Sequence, residues 1–247
     1  MGRQLTYFLS DLHLGASYID HPLEQERRVV RFLDSIKDSA AEIYLLGDIL
    51  DYWFEYKYAV PRGFTRFFGK IAELSDSGIR IHWFIGNHDI WIFDYLPREL
   101  GISVIDGESI RQIGGKTFFL AHGDGVGRQP LSFRMLRSVF RNKFCQKLYS
   151  GIHPRWTIPF ALNWSHGSRK SDDFPHYAGE GREPLEEFAK TYSGPQHIDH
   201  FVFGHRHIML DKEVAPGSRI TILGDWIHFN SYAVFDGEKL QLRQFEE

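Results

Sequence analysis

The chain has 247 residues, 43% of them hydrophobic and 25% charged, a balance that excludes disordered and collagen-like chains and suits one domain with a sizeable insertion. Its 29 Lys and Arg against 32 Asp and Glu give a net charge of -3, which counts against a globally basic nucleic-acid binder. A single cysteine, Cys145, excludes an internal disulfide, and with no leader-like or membrane-spanning stretch the expected location is the cytoplasm.

Along the chain, Gln4 to Ser10 is an apolar, strand-forming run that ends abruptly at Asp11. Leu23 to Asp38 places Val29, Val30, Phe32, Leu33 and Ile36 on one helical face. Glu42 to Leu46 is a strand running into Gly47-Asp48, and Phe64 to Ser75 a second amphipathic helix. Ile79 to Ile85 then runs into Gly86-Asn87-His88-Asp89. Strand, helix, strand, helix predicts a layered α/β fold. After Asp106-Gly107 the strands shorten: Ser109 to Ile113 and Thr117 to Leu120 form a hairpin across Gly114-Gly115, and the run through Ala121 ends at His122-Gly123-Asp124. Phe201 to Phe203 runs into Gly204-His205-Arg206-His207, and the tail from Arg219 to Phe245, with a turn at Asp236-Gly237, resembles the hairpin region. A second sheet beside the first is expected.

Residues 126–182 fit neither pattern and read as an insertion, a lid of ten basic residues against three acidic ones. Within it Phe133, Leu136, Phe140, Phe144 and Leu148 fall at helical spacing with Arg134, Arg137 and Arg141 on another face, predicting one basic amphipathic helix. Such a helix suits either an anionic membrane surface or a channel for a phosphorylated, apolar substrate. Trp156, Phe160, Leu162 and Trp164 precede Ser168-Arg169-Lys170-Ser171, a short cationic, hydroxyl-bearing stretch suited to phosphate.

Five strand ends therefore deliver Asp11-x-His13, Asp48, Asn87-His88-Asp89, His122 and His205-x-His207 to one edge of the fold. An isolated Asp of this kind is commonly a cap or turn residue, and an isolated His a core group. Five clusters, each directly after an apolar strand, are not explained that way. Paired divalent metals need a bridging carboxylate plus nitrogen and oxygen ligands, and Asp with neutral His suits manganese, iron(II) or zinc.

Together these motifs resemble the signature of the calcineurin-like metallophosphoesterase superfamily, in order and spacing, over nearly the whole chain. The resemblance implies a two-sheet sandwich flanked by helices. It also implies that Asp11, His13, Asp48 and His207 hold one metal and Asp48, Asn87, His122 and His205 the other, with Asp48 bridging. The two divalent ions are expected to be Mn2+, with Fe2+ or Zn2+ as alternatives. His88 would assist the leaving group or stabilise phosphoryl charge, and Asp89 would orient it.

Within the superfamily, the opening SDLHLG, the GDILDYWFE stretch, the SRKS segment and the late LGDW are similar to the UDP-2,3-diacylglucosamine pyrophosphatases of lipid A biosynthesis. The best-known members carry Arg where this chain has His88. That resemblance implies hydrolysis of a nucleotide-linked acylated sugar to UMP and 2,3-diacylglucosamine 1-phosphate, by a monomer in peripheral contact with the anionic inner face of the cytoplasmic membrane. Arg128, Arg169, Lys170 and Asn163 are the expected substrate contacts. A phosphodiesterase for another nucleotide or nucleic acid, and a non-catalytic scaffold of the same fold, are the competing readings.

Overall fold

The computed structural model describes residues 3–127, 129–168 and 176–246. Its first sheet is built around β1 (Leu5–Leu9), β2 (Ala40–Leu46), β3 (Arg80–Phe84) and β4 (Ser103–Ile105), all parallel. Helices α1 (Pro22–Ile36), α2 (Thr65–Asp76) and α3 (Tyr95–Leu100) connect them. The second sheet holds β5 (Ser109–Ile113), β6 (Lys116–Ala121), β7 (His200–Phe203), β8 (Met209–Ala215) and β9 (Ser218–Leu223) in the order β5-β6-β7-β9-β8. Here β6, β7 and β9 run parallel, and β5 and β8 close the two edges antiparallel.

The strands alternate as a period of two requires. Tyr7 and Leu9, Ile43 and Leu45, and Ile81 and Trp83 turn toward α1, α2 and α3, where they pack with Val29, Phe32, Phe67 and Ile71. Phe8, Tyr44, Leu46 and Phe84 turn the other way and meet Phe118, Leu120 and Val202 of the second sheet, with Phe8 stacked on Phe118 at 5.6 Å. The opposite face of the second sheet, Phe119, Phe201, Phe203, Ile220 and Ile222, is covered by α7 (Pro184–Lys190) through Leu185 and Ala189. The expected α/β sandwich of two sheets flanked by helices is the fold observed.

The tail departs from expectation. Only β9 joins the second sheet; β10 (Ser231–Phe235) and β11 (Leu240–Gln244) extend the first, with β10 antiparallel beside β1. The basic amphipathic stretch is also two helices rather than one: α4 (Leu131–Arg141) and α5 (Lys143–Ser150), broken at Asn142. Asn142 is extended, and its side chain accepts hydrogen bonds from the backbone N–H of Phe144 and Cys145, so it caps a new helix instead of continuing the old one. α6 (Pro154–Ser168) follows. Among the described residues no helix is long and apolar enough to cross a membrane.

The outer helix α7 is held to β8 by charge as well as packing. The buried Glu186 carboxylate accepts hydrogen bonds from Lys212 (2.8 Å) and from the Tyr177 hydroxyl, and pairs with Lys190 at 2.9 Å. Burial would raise its carboxyl, but Lys212, Tyr177 and Lys190 outweigh that and hold it at about 2. A depressed carboxyl stabilises the fold above its unfolded titration range and loses that contribution as pH falls through its folded value. Glu186→Gln is therefore expected to lower Tm at neutral pH, with the gap to the unaltered protein closing as pH drops from 4.5 to about 2. Circular-dichroism melts across that range check this; a gap independent of pH would contradict it.

Candidate metal centre and its cavity

Six parallel strands, three from each sheet, end at one edge, and each is followed by the polar residues that build the site. β1 leads to Asp11 and His13, β2 to Asp48 and Asp51, and β3 to Asn87 and His88. β6 leads to His122 and Asp124, β7 to His205 and His207, and β9 to Asp225. The first two loops are laced together: Asp11 N–H donates to Gly47 C=O, and His13 N–H to Asp48 C=O. Asp11, His13, Asp48, His205 and His207 all have positive φ, between 44° and 67°, a conformation costing L-residues of order 1–3 kcal/mol each and concentrated in proteins at functional sites.

Each carboxylate is divided between two tasks. Asp11 Oδ2 accepts hydrogen bonds from the Ser10 hydroxyl and His205 N–H, whereas Oδ1 is buried with no hydrogen-bond partner, 3.3 Å from His207 Nε2 and 3.6 Å from His13 Nε2. Asp48 Oδ1 accepts from His88 N–H, and Oδ2 faces His122 Nε2 at 3.3 Å and His13 Nε2 at 3.7 Å. Asn87 Oδ1 lies 3.2 Å from His122 Nε2, and His205 approaches Asp48 and His122 closely enough to share an ion with them. The loops can approach this closely because of two glycines: a Cβ on Gly86 would lie 2.2 Å from Asp48 Oδ1, and one on Gly204 2.5 Å from Asp11 Oδ2.

The donor set fits two divalent ions. Asp11, His13 and His207 form one cluster and Asp48, His122 and His205 another, with Asp48 Oδ2 between them. Separations of 3.3 to 3.7 Å between these donors are close to those of adjacent ligands around an ion with bonds of about 2.1 Å. An unpartnered buried carboxylate oxygen such as Asp11 Oδ1 is costly unless a cation sits against it. Charge follows the same pattern. Burial would raise both Asp11 and Asp48, yet the facing histidines hold both carboxyls well below the usual range. Burial would lower His122, but Asp48 drives it well above the ordinary histidine value; His205, half-buried, falls to about 4 through desolvation and the neighbouring His122.

Three acids around these groups were not singled out from the sequence. Asp51 Oδ1 accepts from His13 Nδ1 at 3.1 Å and lies 3.3 Å from His88 Nδ1, which also reaches the Asp51 carbonyl at 3.1 Å. Asp225 Oδ2 accepts from His207 Nδ1 at 3.0 Å and His228 Nδ1 at 2.9 Å. Asp124 lines the cavity described below. Asp225 follows the strand-then-glycine pattern of Asp48, a signal present in the sequence. The expected orientation of His88 by Asp89 is overturned: Asp89 is fully buried and accepts hydrogen bonds from Gly86 N–H, Ile49 N–H and Trp83 Nε1, so Asp51 orients His88 instead.

In front of His88 lies a cavity of about 490 Å³, whose floor includes Asp51, Asn87, His88 and Asp124. Ile90, Trp91, Phe133, Leu136, Phe140 and Phe160 wall it. The roof formed by α4, α5 and α6 is tied down by Trp91 Nε1–H to Phe140 C=O (2.9 Å), Tyr52 to Tyr149 hydroxyls (3.1 Å) and Tyr56 to Thr157 (2.6 Å). Of the arginines on the other helical face, Arg137 pairs with Asp124 and Arg141 with Asp106. Asn163 is not brought to the site; it is exposed on α6, where Phe160 and Ala161 form the wall. Arg128, Arg169 and Lys170 lie outside the described residues.

Outer carboxylates that hold a ligating imidazole are worth about 10–100-fold in metal affinity. Asp225→Asn is accordingly expected to weaken Mn2+ binding by about that factor in titration calorimetry of protein stripped of metal. Wild-type affinity in the variant would remove Asp225 from the site.

The calcineurin-like phosphoesterase family profile matches residues 5–209. The chain is 44% identical to the UDP-2,3-diacylglucosamine hydrolase of Porphyromonas gingivalis, with 99% of each chain covered. It is 29% identical to the protein of that name from Neisseria meningitidis serogroup C, over 92% of this chain and 91% of that one. To the Shewanella baltica protein it is 24% identical, over 96% of each. Since the profile runs from β1 to the start of β8 and the strand-end motifs fall inside it, the chain belongs to the calcineurin-like phosphoesterase family.

Proposed function

We propose that the protein is a metal-dependent hydrolase that cleaves the pyrophosphate bond of UDP-2,3-diacylglucosamine to UMP and 2,3-diacylglucosamine 1-phosphate, in the lipid A pathway. The observation that carries this reading is the continuity of the histidine and carboxylate cluster with a large apolar cavity. A small phosphate ester needs no such cavity; acyl chains do. The full-length likeness to proteins named UDP-2,3-diacylglucosamine hydrolase supports the same substrate.

In this reading Asp11, His13, Asp48 and His207 hold one ion and Asp48, Asn87, His122 and His205 the other, Mn2+ being favoured over Fe2+ or Zn2+. Paired ions supply Lewis-acid polarisation of phosphoryl oxygens and a water of lowered pKa. Oxygen from water joins the uridine-side phosphorus, the bond from that phosphorus to the bridging oxygen breaks, and the bridging oxygen leaves with the sugar phosphate. Asp51 keeps the proton on His88 Nδ1 and points Nε2 toward the reacting phosphoryl group. There His88 stabilises developing charge or donates a proton to the leaving oxygen. Residues 126–182 act as the lid, with α4, α5 and α6 excluding water from the acyl chains.

Purified protein with added Mn2+ is expected to release UMP from UDP-2,3-diacylglucosamine. His88→Ala should retain metal and lose about 10²–10⁴-fold in turnover, whereas Asp48→Ala should lose metal content. Hydrolysis of nucleotide phosphodiesters without UMP release would move the reading to the phosphodiesterase alternative.

The roof also bears Leu131, Met135, Phe144, Leu148 and Trp156, each at least 60% exposed, beside exposed Arg134, Lys143, Lys147 and Arg155. An apolar face rimmed by cations suits an anionic bilayer surface, and we place the monomer in the cytoplasm against the inner membrane face. Flotation with phosphatidylglycerol vesicles should recover the protein, and a Phe144→Asp, Trp156→Asp double variant should lose binding while still releasing UMP from detergent-dispersed substrate. Equal recovery of both proteins would exclude this surface.

A further inference from the structure

One cation stands against the site and is absent from the ligand scheme above. Arg137, on α4, lines the apolar cavity and also a smaller one of about 190 Å³ on the far side of Asp124, next to His122 and Glu108. Arg137 and Asp124 are the residues shared by both walls, and Arg137 is the sole Lys or Arg among the described residues of either. Its Nε lies 3.2 Å from Asp124 Oδ2, and its side chain is 29% exposed. The guanidinium lies against Gly125, where a Cβ would sit 2.5 Å from a terminal nitrogen; the bare backbone there makes room for it. Among the described residues Arg137 has an ion-pair partner in Asp124 but no hydrogen-bond acceptor, and its Nε is buried without one. A planar guanidinium with five donors and so few acceptors is suited to a phosphate.

We propose that Arg137 is a specificity-determining residue that binds the second phosphate of a diphosphate substrate, the one that departs with the acylated sugar. This rests on the substrate reading above. If the attacked phosphorus lies over the Asp48 cluster and the acyl chains lie under the roof, the phosphate joined to the sugar lies between them, where Arg137 stands. Asp124 holds the guanidinium in place before substrate arrives. A phosphodiester with one phosphorus offers Arg137 nothing to grip, so the residue separates diphosphates from simple diesters.

The test compares UDP-2,3-diacylglucosamine with bis(p-nitrophenyl) phosphate, using Mn2+-loaded wild-type protein, Arg137→Ala and Arg137→Lys, with metal content measured for each. In Arg137→Ala the ratio of kcat/KM for the diphosphate over that for the diester is expected to fall about 10–100-fold, mostly through KM, and Lys should restore part of it because it keeps the charge without the fork. An unchanged ratio in Arg137→Ala overturns the proposal. Wild-type protein that hydrolyses the diester but releases no UMP would instead refute the substrate reading. In that event, inhibition of diester turnover decides the role of Arg137, using UDP-N-acetylglucosamine and UMP as inhibitors. Wild-type preference for the diphosphate that disappears in Arg137→Ala sustains it, and the same preference in both proteins overturns it.

Discussion

The buried Asp48 carboxylate is the constraint around which the rest of the molecule is arranged. Its Oδ1 is fixed by the His88 N–H, and its Oδ2 faces His13 and His122 from opposite sheets. Bringing one oxygen within reach of both imidazoles forces the loops after β1, β2, β3 and β6 into contact. That contact requires left-handed backbone at Asp11, His13 and Asp48, and a residue without a side chain at Gly86. A site of this kind is unfavourable in isolation, since it combines strained torsions with desolvated charge. The three apolar layers on either side of and between the sheets offset that cost.

Much of the fold and most of the inner shell were legible because one local rule repeats. A buried strand that ends in a polar residue, usually across a glycine, reads the same way at Asp48, Asn87 and His205. The rule also covers Leu223-Gly224-Asp225, and Asp225 was passed over only because a carboxylate one layer behind a histidine has no spacing of its own. Asp51 and Asp89 show the limit from the other side. Both lie three or fewer residues from a candidate ligand, and only the folded path decides that Asp51 reaches His88 while Asp89 turns inward to Trp83 and two backbone N–H groups.

The roof was less legible for a different reason. Helical periodicity reports which residues share a face, not what that face meets. Phe133, Leu136 and Phe140 do share one, but it looks into a cavity rather than a core, and Asn142 restarts the helix by capping its neighbours. Of the arginines on the other face, Arg137 and Arg141 find carboxylates from the loops after β6 and β4, Asp124 and Asp106.

The position of β10 beside β1 has a consequence for how the protein is made. Asp11 and His13 leave a strand whose second neighbour, after β2, is more than two hundred residues later, and the Asp11 carbonyl accepts the N–H of Trp226. A nascent chain therefore displays β1 with one edge unpaired until β10, more than two hundred residues downstream, has been made. The cluster of Asp11, His13 and His207 is thus assembled late in synthesis, since His207 and the tail strand that completes the edge of β1 both come from the last quarter of the sequence.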